Sequence, residues 1–165
     1  ATVAEYGESG WLGYWERLLG NGAKVTDGWT DAYNGNFTAG GGEGKRPIVV
    51  SYDTSPAFTI DEKSGKSTTK ALLNTCLRQV EYAGVLENAK NPAGAAKVIE
   101  FLLSEDVQAA IPESMYVLPA DGDVALPQDW AKHVELPTKP LEVSAEDIDA
   151  NRQAWLTQWT DTVTK

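Results

Sequence analysis

The stretch Arg46-Pro-Ile-Val-Val-Ser-Tyr-Asp-Thr-Ser-Pro-Ala-Phe58 decides the fold of this 165-residue chain. Ile48, Val49 and Val50 make a short apolar run of the kind that a parallel sheet buries on both faces. A hydroxyl, a phenol, a carboxylate, two more hydroxyls and a proline follow at once. Ligands of open α/β folds sit at the carboxyl ends of the strands. Tyr52, Asp53, Thr54 and Ser55 therefore fall where a small molecule would be held, and an α/β fold is expected. Upstream, Asp27-Gly-Trp-Thr-Asp-Ala-Tyr33 places a tryptophan beside a helix start, where its ring has no periodic partner. Trp29 is either a flat wall for an aromatic or cationic ligand or a plug at the domain edge.

Composition narrows the function classes. The chain is 42 % hydrophobic, too apolar for a disordered segment, and its length suits one domain or a domain with a piece of another. A net charge of −10 with dispersed acids argues against nucleic acid. Acidity of this kind is usual for solubility and is also compatible with a cationic ligand. Cys76 is the single cysteine, so neither an internal disulfide nor a cysteine-based zinc site is available. With one histidine, His133, a transition-metal site has little to build on. No run approaches the ~20 apolar residues of a membrane span, and the first residues lack the pattern of a signal peptide.

Periodicity and punctuation outline the elements. An aromatic helix over residues 1–20 is broken by Gly7 and Gly10 and stopped by Asn21-Gly22. Asn91-Pro92 opens a helix with Val98, Ile99, Leu102 and Leu103 on one side. Ser104 caps a second helix, expected to end at Ile111-Pro112. Ser144-Ala-Glu-Asp147 resembles a capping box, with Asp at its closing position, and opens the last helix. Strands are expected at Lys24-Val25, Ile48–Tyr52, 76–84 and Met115–Leu118. The tryptophans at positions 11, 15, 155 and 159 have the spacing of helix cores, while Trp130 reads as a surface anchor.

Catalytic signatures are weak. Gly40-Gly-Gly-Glu-Gly-Lys45 lacks the leading glycine and the closing Ser or Thr of a phosphate loop, and it precedes its strand instead of following it. His133 sits in a polar, proline-flanked segment with no strained nucleophile turn nearby, so it reads as solvated. Glu105-Asp106 and Glu146-Asp147 lie at helix starts and complement the helix dipole. No catalytic residue and no metal ligand is assigned.

Several segments together resemble the thiamine-binding proteins of ABC transporters, a branch of the type II periplasmic-binding-protein fold. They are Gly28-Trp-Thr-Asp-Ala-Tyr33, Pro47–Pro56, Gln79-Val-Glu81, Ala110-Ile-Pro112 with Met115-Tyr-Val-Leu-Pro119, and Asn151-Arg-Gln-Ala-Trp155 with Trp159. The resemblance covers nearly all of this chain but only the later part of the family's, so it implies a C-terminal fragment. It implies a second lobe with ligand mouth over 1–60 and a hinge-like crossover at 61–75. Segments 76–140 would pack with the first lobe, and 141–165 would form a closing helix. Thiamine or its phosphates would be the transported ligand, with no cofactor. The site would comprise Trp29, Tyr52, Asp53, Thr54, Ser55 and Tyr116, with Trp29 and the strand exit facing a common hollow. Phe58 stands where a tyrosine can occur. The partner would be a membrane permease and the location periplasmic or extracellular, with any membrane association made through the full-length protein. Exposed edges would make the fragment an oligomer, with segment exchange as one form. Two alternatives remain: a binder of ferric ion, a polyamine or a phosphonate, and a carboxylate-dependent glycoside hydrolase.

Overall fold

The computed structural model describes residues 1–164. Its regular structure is almost wholly helical: α1 (Thr2–Gly20), α2 (Pro92–Leu102), α3 (Glu105–Met115), α4 (Gln128–His133) and α5 (Ala145–Val163). A π-helical turn, Asp31–Asn36, and two 3₁₀ turns, Ser55–Phe58 and Leu73–Thr75, complete the set. No helix is long and apolar enough to cross a membrane. The chain divides into two compact units. The first comprises Ala1–Val50, Leu72–Arg78 and 137–164, and the second comprises Ser51–Ala71 and Gln79–Leu136.

In the first unit α1 packs against α5. Trp15 meets Trp159 edge to face with ring centroids 5.6 Å apart, and the Trp155 indole donates to the Glu8 carboxylate at 2.9 Å. Trp11, on the same helix α1, is buried. Helix α1 is interrupted at Gly7, whose φ of 65° a residue without Cβ adopts at little cost. It ends in a Schellman arrangement: Ala23 N–H bonds to Leu18 O and Gly22 N–H to Leu19 O, both at 2.9 Å, with Gly22 at φ 81°. At the start of α5 the Ser144 hydroxyl oxygen accepts from the Asp147 amide at 3.0 Å, and Ser144 and Asp147 side chains meet at 2.7 Å. The shorter carboxylate thus closes on the capping serine.

The glycine-rich loop has a packing explanation. A Cβ at Gly40, Gly42 or Gly44 would overlap the backbone of Tyr33, Asn34 or Asn36 respectively. These glycines let the loop lie directly on the π-helical turn, and no anion is needed to account for them.

The second unit gathers around Trp130. This side chain is 2 % exposed and takes the edge of Phe58 at 5.5 Å, so it is a core residue and not the expected surface anchor. Its place near the start of a six-residue helix hid that role, because so short a helix shows no apolar period. His133, at the end of α4, is half-buried, and its Nε2 has no hydrogen-bond partner. Gln108 joins two elements: its Nε2 donates to Leu102 O at 2.7 Å and its Oε1 accepts from Ala120 N at 2.8 Å. Asn91 caps α2 by accepting from Gly94 N at 2.9 Å. Helix α3 does not stop at Pro112. It carries that buried proline inside and runs to Met115, with Tyr116 as a left-handed cap. The expected strand at Met115–Leu118 is replaced by this cap.

The expected strands do not form ladders. Pairing among the described residues is limited to three isolated bridges: Phe37 with Arg46, Ile60 with Ser67, and Leu77 with Leu141. Arg46 pairs on both sides of Phe37, but beyond Thr38 the partner chain turns into the glycine-rich loop. Ile48–Val50 therefore has no neighbour to join within its unit. Ile48 and Val50 are 72 % and 85 % exposed instead of buried, and the chain is mostly helical where an α/β sheet was expected. Segment 76–84 has no regular structure and no bridge beyond Leu77, with Tyr82 90 % exposed. Helix α2 buries none of its side chains, and Val98, Phe101 and Leu103 face solvent.

The described residues expose 12240 Å². One globule of 17.8 kDa would expose roughly 8000 Å², and two separate globules of half that mass roughly 9600 Å². Apolar side chains contribute to that exposure: Ile48, Val50, Tyr82, Leu86 and Phe101 are all largely exposed. Amide hydrogen exchange should therefore divide the chain. Amides in the interiors of α1 and α5 should be protected, and those of 79–86 should exchange within seconds, as in an unstructured peptide. Protection across 79–86 at low concentration would contradict this description.

Candidate functional site

Trp29 belongs to the first unit. It precedes the π-helical turn, and its ring stacks on Tyr33 with centroids 4.6 Å apart and planes 12° from parallel. Tyr33 in turn meets Phe37 at 5.3 Å. Tyr33 and Phe37 are buried, whereas Trp29 keeps 43 % of its surface exposed. The three rings form a ladder that starts in the core and ends in an exposed indole. Trp29 does have periodic partners: positions 29, 33 and 37 recur every four residues, a signal that was visible in the sequence. The turn that carries them is fixed by Asn36, whose side-chain amide donates to Asp31 O at 2.8 Å and whose Oδ1 accepts from Lys24 Nζ at 3.1 Å.

Tyr52, Asp53, Thr54, Ser55 and Tyr116 belong to the second unit. The chain turns at Tyr52, where Ser55 N–H bonds to Tyr52 O at 3.1 Å, and enters the 3₁₀ turn. Tyr52 is exposed. Ser51 and Ser55 bring their hydroxyl oxygens to 2.7 Å. Thr54 is 2 % exposed, and its hydroxyl donates to Tyr116 O at 2.7 Å. The Tyr116 ring is half-exposed and packs edge to face on Phe58 at 4.8 Å. Phe58 was not among the residues the sequence placed in the site, yet it links Tyr116 to Trp130.

Asp53 is half-buried. Burial pushes its carboxyl above the ordinary value, against a smaller opposing effect of the backbone amides of Asp53 and Thr54. A carboxylate held in such surroundings gains from a nearby cation, which favours its charged form. Chemically, the first unit offers an indole face, and the second by itself offers an aromatic wall, a carboxylate and a pair of serine hydroxyls. These suit a flat, positively charged molecule with a polar tail. Among the described residues no three His, Cys, Asp or Glu side chains gather into a metal-binding group.

The chain is similar to curated proteins named thiamine-binding periplasmic protein. It is 34 % identical to the one from Salmonella typhimurium over 152 residues, which is 92 % of this chain and 44 % of the relative. It is 33 % identical to the one from Escherichia coli over 152 residues, again 92 % of this chain and 44 % of the relative. The relative from Brucella melitensis is 33 % identical over 148 residues, 88 % of this chain and 42 % of that protein. The chain thus spans less than half the length of the curated relatives it matches. No family model and no solved structure matches it.

The Asp53 shift predicts a pH effect of definite sign. The folded chain holds this proton to a higher pH than the unfolded chain does. Its contribution to stability is full below the unfolded-state pKa and is lost as pH rises through the folded-state value. Asp53→Asn has no proton to lose, so between about pH 3 and about pH 7 it should gain stability relative to the parent. Urea midpoints of both proteins at the two pH values check this, and parallel behaviour would contradict it.

Proposed function

We propose that this chain is part of a periplasmic solute-binding protein that captures thiamine or its phosphates and delivers them to the permease of an ABC transporter. The similarity along nine-tenths of the chain supports the reading, and the exposed indole of Trp29 carries it. Thiamine bears a permanently positive thiazolium beside an aminopyrimidine. A tryptophan face attracts such a cation by ~0.5–2 kcal/mol, more as water is excluded. A ring already stacked on Tyr33 is held flat, so little side-chain freedom is lost when a ligand lies on it.

The second unit offers groups of its own to such a ligand. Asp53 provides charge complementarity or accepts from the aminopyrimidine. Ser55 and its neighbour Ser51 offer hydroxyls to a hydroxyethyl or phosphate tail. Tyr52 and Tyr116 add aromatic walls. The relatives are binding proteins, and no step here calls for a catalytic group.

The fold of the complete protein would be the α/β type II architecture. Its sheets would be completed by polypeptide that this chain does not contain, and Ile48–Val50 and 76–84 would then become strands. Self-association of the isolated chain, with segment exchange, is an alternative way of covering the same surfaces.

Thiamine titration followed by tryptophan fluorescence tests the proposal. The chain alone should bind with less than micromolar affinity, because a large part of the contacts is lacking. Trp29→Leu should weaken that binding by about two- to thirty-fold, the equivalent of the cation–π contribution. Micromolar or tighter binding by this chain, or indifference to the loss of the indole, would count against it.

A further inference from the structure

We propose that Thr54 is a positioning residue, whose hydroxyl pins Tyr116 in a left-handed conformation and so aims an aromatic wall of the site. Among the described residues Tyr116 is the one non-glycine residue with positive φ, at 62°. A bulky residue with a Cβ adopts that conformation only when its surroundings impose it. Two backbone tethers do so. Tyr116 N–H bonds to Pro112 O at 3.1 Å, which is the helical closure of α3. Thr54 Oγ1 donates to Tyr116 O at 2.7 Å from a side chain that is almost completely buried.

The placement of Thr54 supports this role over the ordinary one. Thr54 stands at the N-cap of the Ser55–Phe58 turn, where a threonine hydroxyl usually accepts from its own turn's amides. Its side chain makes no such cap bond here. The hydroxyl reaches across 62 positions of sequence instead. The turn that Thr54 heads also carries Phe58, whose ring meets Tyr116 at 4.8 Å and Trp130 at 5.5 Å. One residue therefore ties together the backbones that present both rings. This is a different task from the ligand contact assigned to Thr54 from sequence, since a side chain so enclosed does not reach solvent. Reading the Tyr116 ring as a ligand wall rests on the thiamine proposal; the pin itself does not.

The test uses the isotopically labelled chain with Thr54→Val, which keeps the shape and removes the hydroxyl, and Thr54→Ser, which keeps the hydroxyl and removes the methyl. The Cα and Cβ shifts of residue 116 report its backbone conformation, and the Tyr116 ring signals are followed as thiamine is added. Thr54→Ser should retain both the left-handed shifts and the ring response of the parent. Thr54→Val should lose both while the signals of α1 and α5 stay in place. A left-handed signature that survives in Thr54→Val overturns the proposal. So does its loss in Thr54→Ser, because methyl packing would then hold Tyr116. If Thr54→Val does not fold, the Ser variant decides by the same criterion. A parent whose Tyr116 ring ignores thiamine contradicts the ligand-wall role, whereas the carbon shifts still judge the pin.

Discussion

A helix closes its own backbone hydrogen bonds, and a strand borrows them from a neighbour. That constraint organises this chain. Helices α1 and α5 stand because each satisfies its main chain internally and then buries an aromatic face against the other. Ile48–Val50 and 79–86 have the composition of strands but pair with nothing among the described residues, and most of their side chains lie in solvent. Helix α2 is an intermediate case. Asn91 and Pro92 make it a competent helix, but nothing in the chain covers Val98, Phe101 and Leu103. The large exposed surface follows from the same cause. The curated relatives are more than twice as long as the stretch they share with this chain.

The sequence was most legible where a signal is local. Asn21-Gly22, Asn91-Pro92 and Ser144–Asp147 each act through the hydrogen bonds or dihedrals of a few adjacent residues, and each ends or starts a helix as read. It was least legible where the answer depends on a distant partner. The period of an apolar run tells that a strand can form and not whether a ladder awaits it. Trp130 looks like a surface residue until Phe58 arrives from 72 positions away. Pro112 marks a helix boundary by local sterics, yet burial of its ring accompanies an α3 that continues past it.

The candidate site divides along the same line. Tyr52 and Trp29 stand out in the sequence because polar and aromatic residues cluster at an element's end, and both are exposed. The Trp29–Tyr33–Phe37 ladder is written in a four-residue spacing, although Trp29 taken alone reads as a loop residue. The Thr54–Tyr116 bond could not be read, since nothing in either local sequence announces the other. It is a contact between backbone and side chain 62 positions apart.

In the thiamine reading the exposed end of the aromatic ladder would be a resting place for a flat cation. Intermolecular nuclear Overhauser effects between thiamine and the labelled chain at high ligand concentration test that most directly. Contacts from the thiazolium or pyrimidine protons to the indole ring of Trp29 are the predicted result. Contacts confined to other surfaces, with that indole silent, would contradict it.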